Sequence, residues 1–184
     1  MTAPSDTPTS GFVTIFDDTY DQPDCRAYFR MMDRLGYRNQ HHAVAGFRAG
    51  LAEMMRLRGL EQARIVDFAS SYGIVSALMA HELSLEQVFA RYRQPVFDSA
   101  SSAEVIDLDR GWLAGLRRPA PALHVTGIDV MPNAVAYGRA VGLFQSGFVE
   151  DLERAEPSEG LGRELARCDM IVECGSVAQL MPSA

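Results

Sequence analysis

From Arg64 onward, short apolar runs rich in β-branched residues alternate with helical segments, and an acidic residue stands near the end of each run. RIVDFA (64–69) reads as a buried strand, Ser70–Ser71–Tyr72–Gly73 as a turn, and IVSALMAHEL as the helix that follows. HVTGIDV reads as a second strand, with Asn133 starting the helix AVAYGRAV and Gly142 closing it; GFVED and DMIVE supply a third and a fourth. Parallel strands need long crossovers, which are right-handed and lay helices on the sheet, so this alternation dictates an α/β fold. The expected parallel strands are 65–69, 125–130, 147–151 and 169–173. In such sheets ligands settle at the carboxyl ends of the strands. The positions to watch are therefore Asp67 to Gly73, Asp129, Asp151, and Glu173 to Gly175.

Residues 1–10 (MTAPSDTPTS) are polar and read as a disordered lead; 11–60 read as an N-terminal helical lid, and 61–184 as the sheet domain. GFVTIF is β-prone, CRAYFRMMDRLGY is helical with Gly36 as its stop, and Asn39 is positioned to cap a second helix. In that helix Val44, Phe47, Leu51, Met54 and Met55 recur at three- and four-residue steps, giving one buried stripe that Gly59 ends. Asp67 and Asp129 lie 62 residues apart, against roughly 20 in a minimal dinucleotide-binding unit, so 82–122 reads as an insertion of helices.

The 17 basic residues are all arginine. Without lysine the chain has no Schiff-base, P-loop or general-base lysine. A net charge of −7 argues against nonspecific nucleic-acid binding, which needs a cationic surface, and favours a small-molecule substrate. No apolar run approaches the roughly 18 residues of a membrane span, and the lead lacks the basic-then-apolar order of a signal peptide. A cytoplasmic protein is expected. Cys25, Cys168 and Cys174 have no paired spacing and read as reduced thiols, and no metal site is expected.

With those motifs in place, the sequence resembles the class I S-adenosylmethionine-dependent methyltransferase family, from Ile65 to its end. IVDFASSYG stands where the family has an acid before a glycine-rich turn; GIDVMPNAVAYG, FVEDL and CDMIVECGSV follow in the family order. The resemblance implies a Rossmann-like parallel sheet preceded by lid helices. It also implies a cofactor site of Asp67, Ala69, Ser71, Tyr72, Gly73, Asp129, Val130, Asp151, Leu152 and Cys174. Asp129 would hold the ribose hydroxyls, Asp151 the adenine amino group, and Leu152 the ring face. Glu173, or an acid of the 17–24 segment such as Asp17 or Asp18, would serve as catalytic base.

Two departures qualify the match. Ala69 and Ser71 occupy positions where the family has glycine, and only Gly73 remains. The sequence also ends soon after the fourth strand, where family members carry further strands. Either the sequence is shortened, or a partner chain or second copy completes the sheet near 169–184. The leading expectation is methyl transfer to a small-molecule, specialised-metabolite intermediate of the antibiotic kind. Beside it stand a non-methylating relative working with a partner subunit, as in intramolecular closure of an aziridine ring, and a non-catalytic stabilising subunit. Elsewhere, His41 and His42 read as a solvated helix start. Tyr20, Tyr28 and Tyr37 with Arg26, Arg30 and Arg38 offer a clamp for an anion, against a plain reading as helix surface.

Overall fold

The computed structural model describes residues 19–176. Its frame is a four-stranded, all-parallel sheet: β1 (Gln62–Phe68), β2 (Ala122–Asp129), β3 (Ser146–Val149) and β4 (Met170–Glu173), in the order β3-β2-β1-β4. This is a Rossmann-like α/β fold. The two central strands pair over seven residues, from Gln62 with Ala122 to Phe68 with Ile128, whereas β3 and β4 each pair over four. β1 begins earlier than its apolar run suggests because that long register enlists Gln62 and Ala63. β3 ends at Val149, so Asp151 lies in the turn beyond it.

Side chains alternate between the faces along each strand. Ile65, Val125 and Val172 enter the large core beneath α1 (Arg26–Arg34), α2 (Asn39–Arg58), α3 (Ile74–Ala80) and α7 (Pro132–Ala140). Val66, Ile128 and Phe68 face the other way and pack with Leu161 of α8 (Glu159–Leu165). Val44, Leu51 and Met55 of α2 are buried, with Phe47 and Met54 packed beside them, as the stripe requires. Gly59 ends that helix at φ 63°. Asn39 does not cap α2: it is the first helical residue, and its amide donates to the Tyr37 hydroxyl (2.9 Å).

Between α3 and β2 lie α4 (Leu85–Tyr92), α5 (Val96–Ser99) and α6 (Ser102–Leu116). Ser84 and Ser101 start α4 and α6 with reciprocal capping boxes to Gln87 and Glu104. These helices hold the N-terminal segment through a buried polar cluster. Asp109 of α6 is 0% exposed; its Oδ1 accepts from Arg91 Nε (2.8 Å), and its Oδ2 from the hydroxyls of Tyr92 (3.0 Å) and Tyr137 (2.8 Å). The Cys25 thiol donates to Tyr92 Oη (3.0 Å), and the Phe29 and Tyr92 rings stack 5.2 Å apart. A buried carboxylate is tolerated only when neutralised and hydrogen-bonded, and Asp109 is both.

Phe144 locks the central crossover. Its ring lies against Gly73, Gly127 and Gly138, where an added Cβ would come within 2.9 Å of Leu143 Cδ1 (at Gly73), 2.6 Å of the Phe144 ring (at Gly127) and 2.2 Å of it (at Gly138). Gly138 sits inside α7, where alanine would ordinarily gain about 1 kcal/mol of helix propensity. Overpacking a filled core costs about 1–3 kcal/mol and outweighs that gain. Gly138→Ala is expected to lower stability in a denaturant titration, and an unchanged or raised midpoint would show that the ring can step aside.

Candidate functional site

The turn from β1 to α3 sits at the carboxyl end of the sheet. Ala69 (φ 52°), Ser71 (φ 48°) and Gly73 (φ 77°) are all left-handed, a conformation costly for residues with a Cβ. Three bonds hold it. The Ser70 N–H donates to the Ile128 carbonyl (2.9 Å), the Gly73 N–H to the Ser70 carbonyl (2.8 Å), and the Ser71 N–H to Asp129 Oδ2 (2.7 Å). Asp67, in β1, accepts the Ser76 hydroxyl (2.5 Å) and N–H (3.2 Å) on Oδ2, which fixes the first turn of α3.

Asp129 ends β2, and its Oδ1 accepts the Met131 N–H (3.0 Å). One carboxylate thus ties the turn after β1 to the turn after β2. Burial raises its pKa, opposed by the N–H groups of Ser71, Met131 and Val130 and reinforced by the nearby Asp21 carboxylate. Asp67, 1% exposed, is pushed up to about 7 by burial, with Asp129 and Glu173 adding to the rise against the Ser76 hydrogen bonds.

Residues ahead of α1 form a strap across this end. Asp21 Oδ1 accepts the Asn133 N–H (2.7 Å), the Asn133 amide donates to the Asp21 carbonyl (2.7 Å), and the Tyr72 hydroxyl donates to the Gln22 carbonyl (2.8 Å). Asp24 anchors the strap's end through Arg26 (2.8 Å) and the Ser102 hydroxyl (2.6 Å). On the β4 side, Glu173 Oε1 accepts the Ser176 hydroxyl (2.7 Å) and the Ser176 N–H. The Cys174 thiol is pushed up to about 11 by burial and the Glu173 and Asp67 charges. Gly175 (φ 110°) has no room for a Cβ, which would meet Tyr37 Oη at 2.3 Å.

The fold therefore gathers Asp67, Ala69, Ser71, Tyr72, Gly73, Asp129, Glu173 and Cys174 at one end of the sheet. Val130 lies half exposed beyond Asp129. Asp151 is in the turn after β3, accepting from Glu153 N–H (3.1 Å) and facing Arg154 Nε (3.3 Å). Leu152 packs with the core of the opposite face, beside Leu161. Asp17 and Asp18, and the GFVTIF run, lie outside the described residues.

The arginine clamp does not form. Arg26 is spent on Asp24 and on the Phe97 and Ala100 carbonyls, Arg30 on Asp98 and the Tyr92 carbonyl, and Arg38 pairs with Glu86 over the Phe89 ring. Each guanidinium found an acid or carbonyl nearer than the crevice. Asn133 was anticipated only as a helix start and not as a site residue, although the acidic 17–24 run pointed to a segment over the mouth. His41 and His42 are exposed at the start of α2, and His81 is buried against the Ala77 carbonyl (3.0 Å). Among the described residues no cluster of His, Cys, Asp and Glu is fit to hold a metal, and no helix is long and apolar enough to cross a membrane. A cavity of about 500 Å³ lined by Val96, Ala100, Glu104 and Leu108 lies on α5 and α6, away from the strand ends. No family model, curated protein or solved structure matches the chain.

The Asp67 carboxyl gives the site a pH signature. Its folded pKa, about 7, stands above its ordinary 3.8, so between those values the native state holds more protons than the unfolded one. Stability from this group is then full below about pH 4 and is lost as pH rises towards 7. Asp67→Asn should flatten the fall of Tm over that window relative to wild type. Identical slopes for the two proteins would show that Asp67 titrates normally.

Proposed function

We propose that this chain is a cytoplasmic enzyme that binds S-adenosylmethionine across the carboxyl ends of β1 and β2 and methylates a small-molecule intermediate of specialised metabolism. The observation that carries this reading is the turn after β1. Residues 69, 71 and 73 keep the left-handed backbone of a glycine-rich turn although two of them are not glycine, and Asp129 stands directly against it. When bound, the cofactor supplies an electrophilic methyl group on a sulfonium.

The residues present fit such a ligand. A carboxylate offers about four lone-pair sites, and the N–H groups of Ser71, Met131 and Val130 take three of them, so Asp129 retains an acceptor for one ligand hydroxyl. Ser70 Oγ is buried without a hydrogen-bond partner, and the Ser71 side chain lies against the Tyr20 and Tyr28 phenols. Asp129 and Glu173 lie within electrostatic reach of Asp67, and Asp21 within reach of Asp129, while the neighbouring arginines are paired elsewhere. That field favours a cation. Glu173, held by Ser176, is positioned at the strand end to take a proton from the acceptor, and Cys174 lines the same side.

A second reading draws on the same carboxylate. Both oxygens of Asp129 already hold backbone donors, a structural duty that needs no cofactor. In that reading the chain is a non-methylating relative acting with a partner subunit on an intramolecular substitution such as aziridine closure, its carboxylates removing an amine proton. In either case the partner, or a second copy, adds at 169–184. Among the described residues β4 pairs only with β1, and Ile171 is 58% exposed.

Calorimetric titration with S-adenosylmethionine and S-adenosylhomocysteine separates the two. Binding by the wild type, weakened about 10–100-fold in Asp129→Ala, is expected, since a hydrogen bond to a charged group contributes about 1.5–3 kcal/mol. No heat with either ligand would reject the methyl-transfer reading in favour of the second.

A further inference from the structure

Most arginines of this acidic chain find a carboxylate, but Arg48, Arg117 and Arg118 pair with no acid among the described residues. The backbone nevertheless brings the three together. His81 and Arg117 form an antiparallel bridge, flanked by the Glu82 N–H on the Leu116 carbonyl (2.8 Å) and the Arg118 N–H on the Ala80 carbonyl (3.0 Å). Arg118 Nε (3.0 Å) and Arg48 Nη2 (3.3 Å) both donate to the His81 carbonyl, and Arg48 Nη2 also donates to that of Leu78. Capping the carbonyls that end α3 takes one cation. This end has two, with Arg117 a third beside His81. Burial and the Arg118 charge lower the Arg48 pKa, and burial, joined by the Arg117 and Arg118 charges, lowers that of His81. The Nη groups of Arg118 and the whole Arg117 guanidinium make no hydrogen bond among the described residues. Together with Ala80, Pro119, Pro121 and Leu123 these two arginines line a cavity of about 240 Å³ where β2 begins.

We propose that this cavity binds a small phosphate monoester, its phosphate on the Arg117 and Arg118 guanidinium groups and its organic part against Pro119, Pro121 and Leu123. A guanidinium is planar, permanently charged and forked, and it meets phosphate oxygens in pairs. A monoester carries about 1.5–2 negative charges near neutral pH, so it relieves more of a cluster of three cations than one carboxylate does. The apolar wall adds nothing to the binding of a bare inorganic ion, but it buries the carbon part of an ester. The site lies at the amino end of β2, whereas Asp67, Asp129 and Glu173 gather at the carboxyl ends of the strands. It is a second ligand site, independent of the cofactor reading above.

The test is calorimetry and thermal melting of the full chain with phenyl phosphate and with inorganic phosphate, at constant ionic strength. Phenyl phosphate should bind saturably and raise Tm, and inorganic phosphate should bind about tenfold more weakly for want of the apolar part. Arg117→Ala, whose guanidinium holds no other described group, should leave the ligand-free Tm unchanged. It should weaken phenyl phosphate about tenfold or more, the weight of a hydrogen bond between charged groups. Arg34→Ala removes the same charge from an exposed position on α1 and should bind as the wild type does. No saturable heat from the wild type with either anion at millimolar concentration would overturn the proposal. Equal weakening in Arg34→Ala and Arg117→Ala would do the same, because it would mark nonspecific attraction of counter-ions. Equal affinity for the two anions would overturn the monoester assignment in favour of free phosphate. Saturating S-adenosylhomocysteine should not displace phenyl phosphate, and displacement would put the anion at the strand-end crevice and overturn this site.

Discussion

The architecture at the carboxyl end of the sheet depends on one side chain, Asp129. Its two oxygens hold the Ser71 N–H at 2.7 Å and the Met131 N–H at 3.0 Å, so the crossovers leaving β1 and β2 are fastened to each other. A single buried carboxylate accepting backbone donors is stronger than a neutral acceptor in the same place. It is also less tolerant of company. Asp21 and Asp67 lie close enough that each added negative charge raises the cost of ionising its neighbour. The site is thus held together by the feature that leaves it short of positive charge.

Around this centre the inserted helices act as a second scaffold. Asp109 collects Arg91, Tyr92 and Tyr137 from α4 and α7, and Cys25 joins through Tyr92. The strap from Tyr20 to Asp24 leads directly into Cys25, so its placement over Ser71 and Asn133 is fixed at both ends. The insertion thereby supplies the strap with partners, Ser102 and the Phe97 and Ala100 carbonyls, which a shorter crossover between α3 and β2 would lack.

The sheet was legible in the sequence because the strands are apolar runs with acids near their ends, and that pattern survives without tertiary information. Strand ends were less legible: the extension of β1 to Gln62 comes from pairing with Ala122, which no local pattern encodes. The pairing of the arginines near Tyr28 was not legible, because their partners, Asp98, Glu86 and the Phe97 and Ala100 carbonyls, come from a distant insertion. Asp109 was invisible for a related reason, since an acid on a helix reads as surface until Arg91 and two tyrosines are folded around it. The turn between Phe68 and Ile74 was readable. That its backbone is left-handed at Ala69 and Ser71, both of which carry a Cβ, was not.

That left-handed shape is informative in itself. A turn built from residues that carry a Cβ ordinarily relaxes to negative φ values, and the strain disappears. Here the Ser71 N–H is pinned by Asp129 and the Ser70 N–H by the Ile128 carbonyl, while Phe144 blocks the space behind Gly73. Relaxing φ at residue 71 would swing its N–H off the carboxylate and leave a buried acid short of a donor, at a cost of about 1–3 kcal/mol or more for a charged group. The strain of a left-handed serine is of the same order. The turn therefore keeps its shape because the alternative is no better, and the hydroxyl it carries is held where a small flexible side chain would otherwise have moved away.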